Sequence, residues 1–134
     1  MRTTTAGLLS LLVLAVAGVC ASGAPAGAQQ GALEQEFRAA AAEYGVPAEL
    51  LKAMGYVNTR WEMPPEQSRD GGWGIMHLVR NNTTDTLGEA SRITGIPVQR
   101  LMTDRAANIR GGAALLAHAQ QGSPEDLNAW YEAV

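Results

Sequence analysis

Apolar positions along this chain fall into short blocks divided by glycine and proline. In "LEQEFRAAAAEYG", Leu33, Phe37, Ala40 and Tyr44 recur at helical spacing after a polar lead-in at 29–32, and Gly45 ends the run. "VPAELLKAMGYVNTRW" restarts at once, with Pro47 suited to a first helical position and a stripe through Leu51, Met54 and Asn58, flanked by Leu50 and Trp61. Two prolines and three glycines in "EMPPEQSRDGGWG" exclude regular structure there. "IMHLV" then reads as a strand or a helix start. Thr86 followed by Glu89 has capping-box spacing, and Pro97 opens a short helical turn in "IPVQRLM". "TDRAANIRGGAALLAHAQ" predicts a longer helix with Ala106, Ile109, Gly112, Ala113 and Leu116 on one face. Its adjacent glycines each cost about 1 kcal/mol against alanine, which suggests a backbone packed closely against them. "SPEDLNAWYEAV" predicts a last helix capped by Ser123, with Leu127, Trp130 and Val134 on one side. The pattern as a whole is mostly α, with a small irregular or hairpin segment near 63–76. It shows no internal repeat.

The first 28 residues do not belong to that pattern. Arg2, the apolar run Leu8 to Val19 and the small residues Ala26-Gly27-Ala28 have the composition of a secretory signal peptide. The run is short for a bilayer span, which disfavours the alternative of a retained membrane anchor. Lipidation at Cys20 is a second alternative, although Val19 is a poor residue to precede a modified cysteine. Cleavage after Ala28 removes 28 of 134 residues and leaves 106, enough for one small domain and without cysteine. Loss of Arg2 leaves nine basic against thirteen acidic side chains. With no basic cluster interleaved with aromatics, nucleic acid is excluded as a partner, and so is an anionic membrane surface after signal cleavage. His77 and His118 show no metal-ligand spacing and no phosphate loop is present, so neither metal nor cofactor is expected.

Four pieces occur in order: "YGVPAELLKAMGYVNTRW", "GGWGIMHL", "LMTDRAANIRGGAALLA" and "LNAWYEAV". Together they resemble the lysozyme-like lytic transglycosylase domain that cleaves bacterial peptidoglycan. The version most similar precedes the amidase domain in secreted cell-wall amidases of high-GC Gram-positive bacteria. The resemblance covers roughly residues 35–134. It implies a lysozyme-like helical domain spanning 29–134, secreted to the cell wall, with peptidoglycan glycan strands as its partner. It also implies that an amidase domain normally follows, and the chain stops inside an amphipathic pattern, as a truncated domain would.

In that family the helix matching 47–61 ends in a Glu-Ser pair whose Glu is the general acid. Here Asn58 stands for the Glu and Thr59 for the Ser. Glycosidic cleavage needs a proton delivered to the leaving oxygen, and an amide supplies none usefully. General acid catalysis is worth about 10²–10⁴-fold, so the resemblance implies a catalytically degenerate binding module. Glu62 is a weak substitute. On an ideal helix it shares the face of Asn58 but lies about 6 Å further along. By carry-over from the Gly-rich family segment, Trp73, Gly74, Met76 and His77 line the glycan cleft with Thr59. The bland reading is a turn followed by core residues, and for His77 the two readings are evenly balanced. Asn108 reads as structural. The rivals to a binding module are an active muramidase or transglycosylase that cuts the MurNAc–GlcNAc linkage through Glu62, and a structural fragment without function.

Overall fold

The computed structural model describes residues 26–120, 124 and 126–134. The predicted signal segment lies outside these apart from Ala26–Ala28, and so does Ser123. Among the described residues the chain forms α1 (Ala26–Tyr44), α2 (Ala48–Thr59), β1 (Gly72–Trp73), β2 (Leu78–Val79), α3 (Thr86–Thr94), α4 (Val98–Thr103), α5 (Arg105–Gln120) and a 3₁₀ helix (Leu127–Ala133). This is a mostly helical, lysozyme-like domain with one small antiparallel pair, as the sequence led us to expect.

Helix α5 is the centre of the packing, with α1, α3 and α4 laid against it. Its sequence permits this because small residues recur on nearly every side. Ala107, Ile109, Gly111, Gly112, Ala113, Ala114 and Leu116 are all buried. The two glycines admit side chains rather than the backbone their adjacency suggested. A Cβ on Gly111 would lie 3.0 Å from Leu101 and Leu78, and one on Gly112 would lie 2.8 Å from Met76. Two bidentate ion pairs add to the α1–α5 contact. Arg105 grips Glu36 at 2.6 and 2.9 Å, and Arg110 grips Glu43 at 2.7 and 2.5 Å.

Several local expectations shift by a residue. The polar lead-in is already helical, since α1 begins at Ala26. The stop at Gly45 holds, in a left-handed conformation. Pro47 and Pro97 sit just before α2 and α4 rather than inside them. The cap of α3 is Asp85, not Thr86. The Asp85 carboxylate accepts from Gly88 N at 2.8 Å and pairs with Arg80. The Thr86 hydroxyl instead accepts from Val79 N at 2.8 Å, tying α3 to β2. The last segment is 3₁₀ rather than α, so Ala133 and not Val134 comes into register with Trp130. Trp130 is fully buried and its indole N–H donates to Pro124 O at 3.0 Å, whereas Leu127 and Val134 are exposed.

One buried polar side chain joins the hairpin to the helices. Asn108 on α5 has no solvent exposure. Its Oδ1 accepts from Met76 N at 2.8 Å, and its Nδ2 donates to Leu101 O at 2.8 Å and Trp73 O at 3.0 Å. Burying these three backbone groups without partners would be costly. Asn108→Ala should therefore destabilise the domain by about 3 kcal/mol or more, read as a shift in the urea unfolding midpoint.

Candidate functional site

The end of α2 and the hairpin turn are stitched together by two polar side chains. Phe37 of α1 lies under Gly55, where a Cβ would be only 3.0 Å from its ring. The buried line of α2 therefore runs through Leu51 and Gly55. Asn58 consequently falls beside that line and is exposed, sharing a depression with Met54. Its Nδ2 lies 3.4 Å from Met76 O. The Thr59 hydroxyl lies 3.2 Å from Gly55 O and 3.4 Å from Ile75 O, sharing its one proton between them.

The helix then ends on two consecutive non-glycine residues in the left-handed region, Arg60 (φ 56°) and Trp61 (φ 65°). Each costs roughly 1–2 kcal/mol. Arg60 N bonds Tyr56 O at 2.8 Å, the αL cap pattern, Trp61 N reaches back to Gly55 O at 3.2 Å, and the indole N–H donates to Lys52 O at 2.7 Å. Glu62 therefore does not continue the Asn58 face by one helical turn. The chain has already reversed, and Glu62 is an exposed loop residue.

Two depressions meet at Asn58 and His77. One, of about 510 Å³, has an apolar floor including Met54, Met76 and Leu78, with Glu89 and His118 on its wall. The other, of about 560 Å³, is polar and lined by Thr59, Glu62, Glu66, Ser68, Asp70 and Gly74 among others. Of the residues expected at the site, Asn58, Thr59, Glu62, Gly74, Met76 and His77 thus line one or both. Trp73 lines neither. It is half-buried, pairs with Leu78 across the hairpin and gives its carbonyl to Asn108. Gly74 (φ 68°) serves Asn108 as well as the turn, because a Cβ there would lie 2.3 Å from Asn108 Nδ2. The Met76 side chain is only 5 % exposed, so it offers a floor and not a reaching group.

His77 is the most constrained polar side chain of the site. Its backbone is left-handed (φ 55°), closing the turn with His77 N to Gly74 O at 3.1 Å. Its ring occupies the space a Cβ on Gly72 would take, 2.1 Å from Nε2. Nε2 lies 3.0 Å from Ser68 Oγ and 3.4 Å from Asp70 Oδ1. Ser68 Oγ in turn lies 2.7 Å from Asp70 Oδ1 and accepts from Gly72 N at 2.8 Å. The Ser68 hydroxyl holds the Asp70 carboxyl below the usual carboxylate range, with a backbone hydrogen bond and His77 adding to the effect. Sequence reasoning missed Ser68 and Asp70, and gave Glu89 and His118 no place in a site. Ser68 and Asp70 lie in an aperiodic loop, and only the Asp-Gly turn chemistry of "SRDGG" hinted that the segment folds back. Among the described residues no three His, Cys, Asp or Glu side chains group as a metal site would need, and no helix is long and apolar enough to cross a membrane.

The chain is 32 % identical over 94 residues to the membrane-bound lytic murein transglycosylase F of Stutzerimonas stutzeri, covering 70 % of this chain and 17 % of that protein. It is 35 % identical over 91 residues to membrane-bound lytic murein transglycosylase F 1 of Alkalilimnicola ehrlichii, covering 68 % of this chain and 16 % of that one. It thus spans about a sixth of the length of these curated relatives. No protein-family model and no solved structure matches it. The similarity supports a lytic transglycosylase-like domain and does not extend to an amidase.

The two hairpin glycines should respond differently to alanine. Gly74→Ala forces a left-handed alanine against a buried amide and should lose about 2 kcal/mol or more of stability. Gly72→Ala overlaps only the His77 imidazole, which can swing aside at the loss of its hydrogen bond to Ser68, and should lose less, about 1 kcal/mol. Denaturant midpoints of the two variants, measured side by side, check this.

Proposed function

We propose that this domain binds peptidoglycan glycan strands through the paired depressions and cleaves them poorly or not at all. The observation that carries the proposal is Asn58. It rims both depressions at the end of α2, beside the Met76 carbonyl, and the resemblance aligns it with the general-acid Glu of the transglycosylase-like family. A carboxylic acid there would protonate the leaving oxygen. A carboxamide hydrogen-bonds the same oxygen without delivering a proton. Similarity to lytic murein transglycosylases supports peptidoglycan as the ligand class. We read the first 28 residues as a signal peptide and the remainder as one domain at the cell wall, which puts the groove where glycan strands are found.

Glu62 supports a second reading, an active enzyme, because it lines the same polar depression as Asn58. The two readings separate on soluble sugar products released from purified peptidoglycan. The wild-type protein should sediment with insoluble peptidoglycan yet release little product. Asn58→Glu should raise release at least about tenfold, within the range general acid catalysis supplies. Robust wild-type release that Glu62→Gln abolishes would replace the binding module with an enzyme.

A further inference from the structure

We infer that His77 makes glycan binding by this groove proton-linked, with Ser68 and Asp70 fixing one ring nitrogen so that the other, Nδ1, meets the saccharide. The inference rests on the glycan-binding reading above and adds to it the atom that tunes affinity.

Counting protons around Ser68 assigns the imidazole. An oxygen–oxygen distance of 2.7 Å between Ser68 Oγ and the Asp70 carboxylate requires a proton between them. An ionised carboxylate has none to give, so the serine hydroxyl donates. Gly72 N–H points at the same Oγ from 2.8 Å. The hydroxyl has a single proton, and it is already directed at Asp70. His77 Nε2, 3.0 Å from Oγ, must therefore present N–H to the remaining lone pair. Nε2 carries its proton whether the ring is neutral or charged, and Nδ1 is the nitrogen that gains and loses one. Among the described residues no protein group hydrogen-bonds Nδ1, and the side chain is 26 % exposed at the junction of the two depressions.

The chemistry of Nδ1 then reverses with pH. In the neutral ring it is a bare acceptor. In the imidazolium it is a charged donor, matched to the carbonyl and hydroxyl oxygens of an N-acetylated sugar. Other charged or titratable groups share the two depressions with His77. Asp70, Glu62 and Glu66 lie on the polar side, and Glu89 and His118 lie on the other. His118, 4.0 Å from Glu89, is the one other imidazole in the groove and the natural confounder. Down to about pH 5.5 ordinary carboxylates stay largely charged while a histidine can change state.

The ligand for the test is a neutral N-acetylglucosamine tetrasaccharide, so that no group on the sugar titrates. The full chain should bind it about tenfold more tightly at pH 5.5 than at pH 8, the difference between a charged and a neutral hydrogen bond. His77→Gln should flatten that dependence, and His118→Gln should keep it. Long-range ¹H–¹⁵N spectra of the free protein at pH 8 should show His77 as the Nε2–H tautomer, and Ser68→Ala should weaken that preference. A pH dependence that survives His77→Gln, or that disappears in His118→Gln, overturns the inference. So does an Nδ1–H tautomer in the free wild-type protein. Failure to bind the tetrasaccharide at either pH would instead remove the glycan-binding reading beneath it. The tautomer spectrum needs no ligand and would still decide the Ser68–Asp70–His77 arrangement.

Discussion

The candidate site depends on a buried carboxamide that lines neither of its depressions. Asn108 is buried within α5 and holds three backbone groups from two other parts of the chain, at Trp73, Met76 and Leu101. The hairpin has two residues in each strand, too few to be stable in water alone. Asn108 supplies what that ladder lacks. It fixes both ends of the segment 73–76, and with them the carbonyls of Ile75 and Met76 that receive Thr59 and Asn58. Gly74 completes the arrangement, since only a residue without Cβ leaves room for the Asn108 amide against the turn.

Strain collects around the same place. Arg60, Trp61 and His77 are the non-glycine residues with positive φ among those described, and all three border the groove or lead into it. The first two reverse the chain two residues after Asn58, at the end of α2. The third turns an imidazole over Gly72 and against Ser68. Such conformations persist where the surroundings over-determine them. Here the surroundings are the αL cap of α2, the indole bond to Lys52 and the Asn108 clamp.

What could be read from the sequence follows the range of the interactions involved. The helices were legible because their signals are local. Gly45 stops α1, Pro97 precedes α4, and the small residues of α5 mark a helix surrounded by neighbours. The cap of α3 was misread by one residue because Asp85 and Thr86 are both good caps. The choice between them is made by Arg80 and Val79, which no local pattern reveals. Helical spacing puts Asn58 on the stripe of Leu51 and Met54 but does not show that Phe37 under Gly55 turns the buried line away and leaves Asn58 at the groove. The 3₁₀ form of the last segment escaped because its period differs from the α period by only 0.6 residue per turn. At the site, residue types were legible and partners were not. Asn108 meets Met76 across 32 residues and Ser68 meets His77 across nine, with an aperiodic loop between the latter pair.

The central claim is that Asn58 and His77 mark the middle of a glycan-binding groove. It is tested most directly by a crystal structure of the protein soaked with a peptidoglycan-derived tetrasaccharide. The expected result is an intact oligosaccharide lying across the junction of the two depressions, with one glycosidic oxygen within hydrogen-bond reach of Asn58 Nδ2 and a sugar oxygen facing His77 Nδ1. Sugar bound elsewhere on the surface, with the Asn58–His77 junction empty, would contradict it.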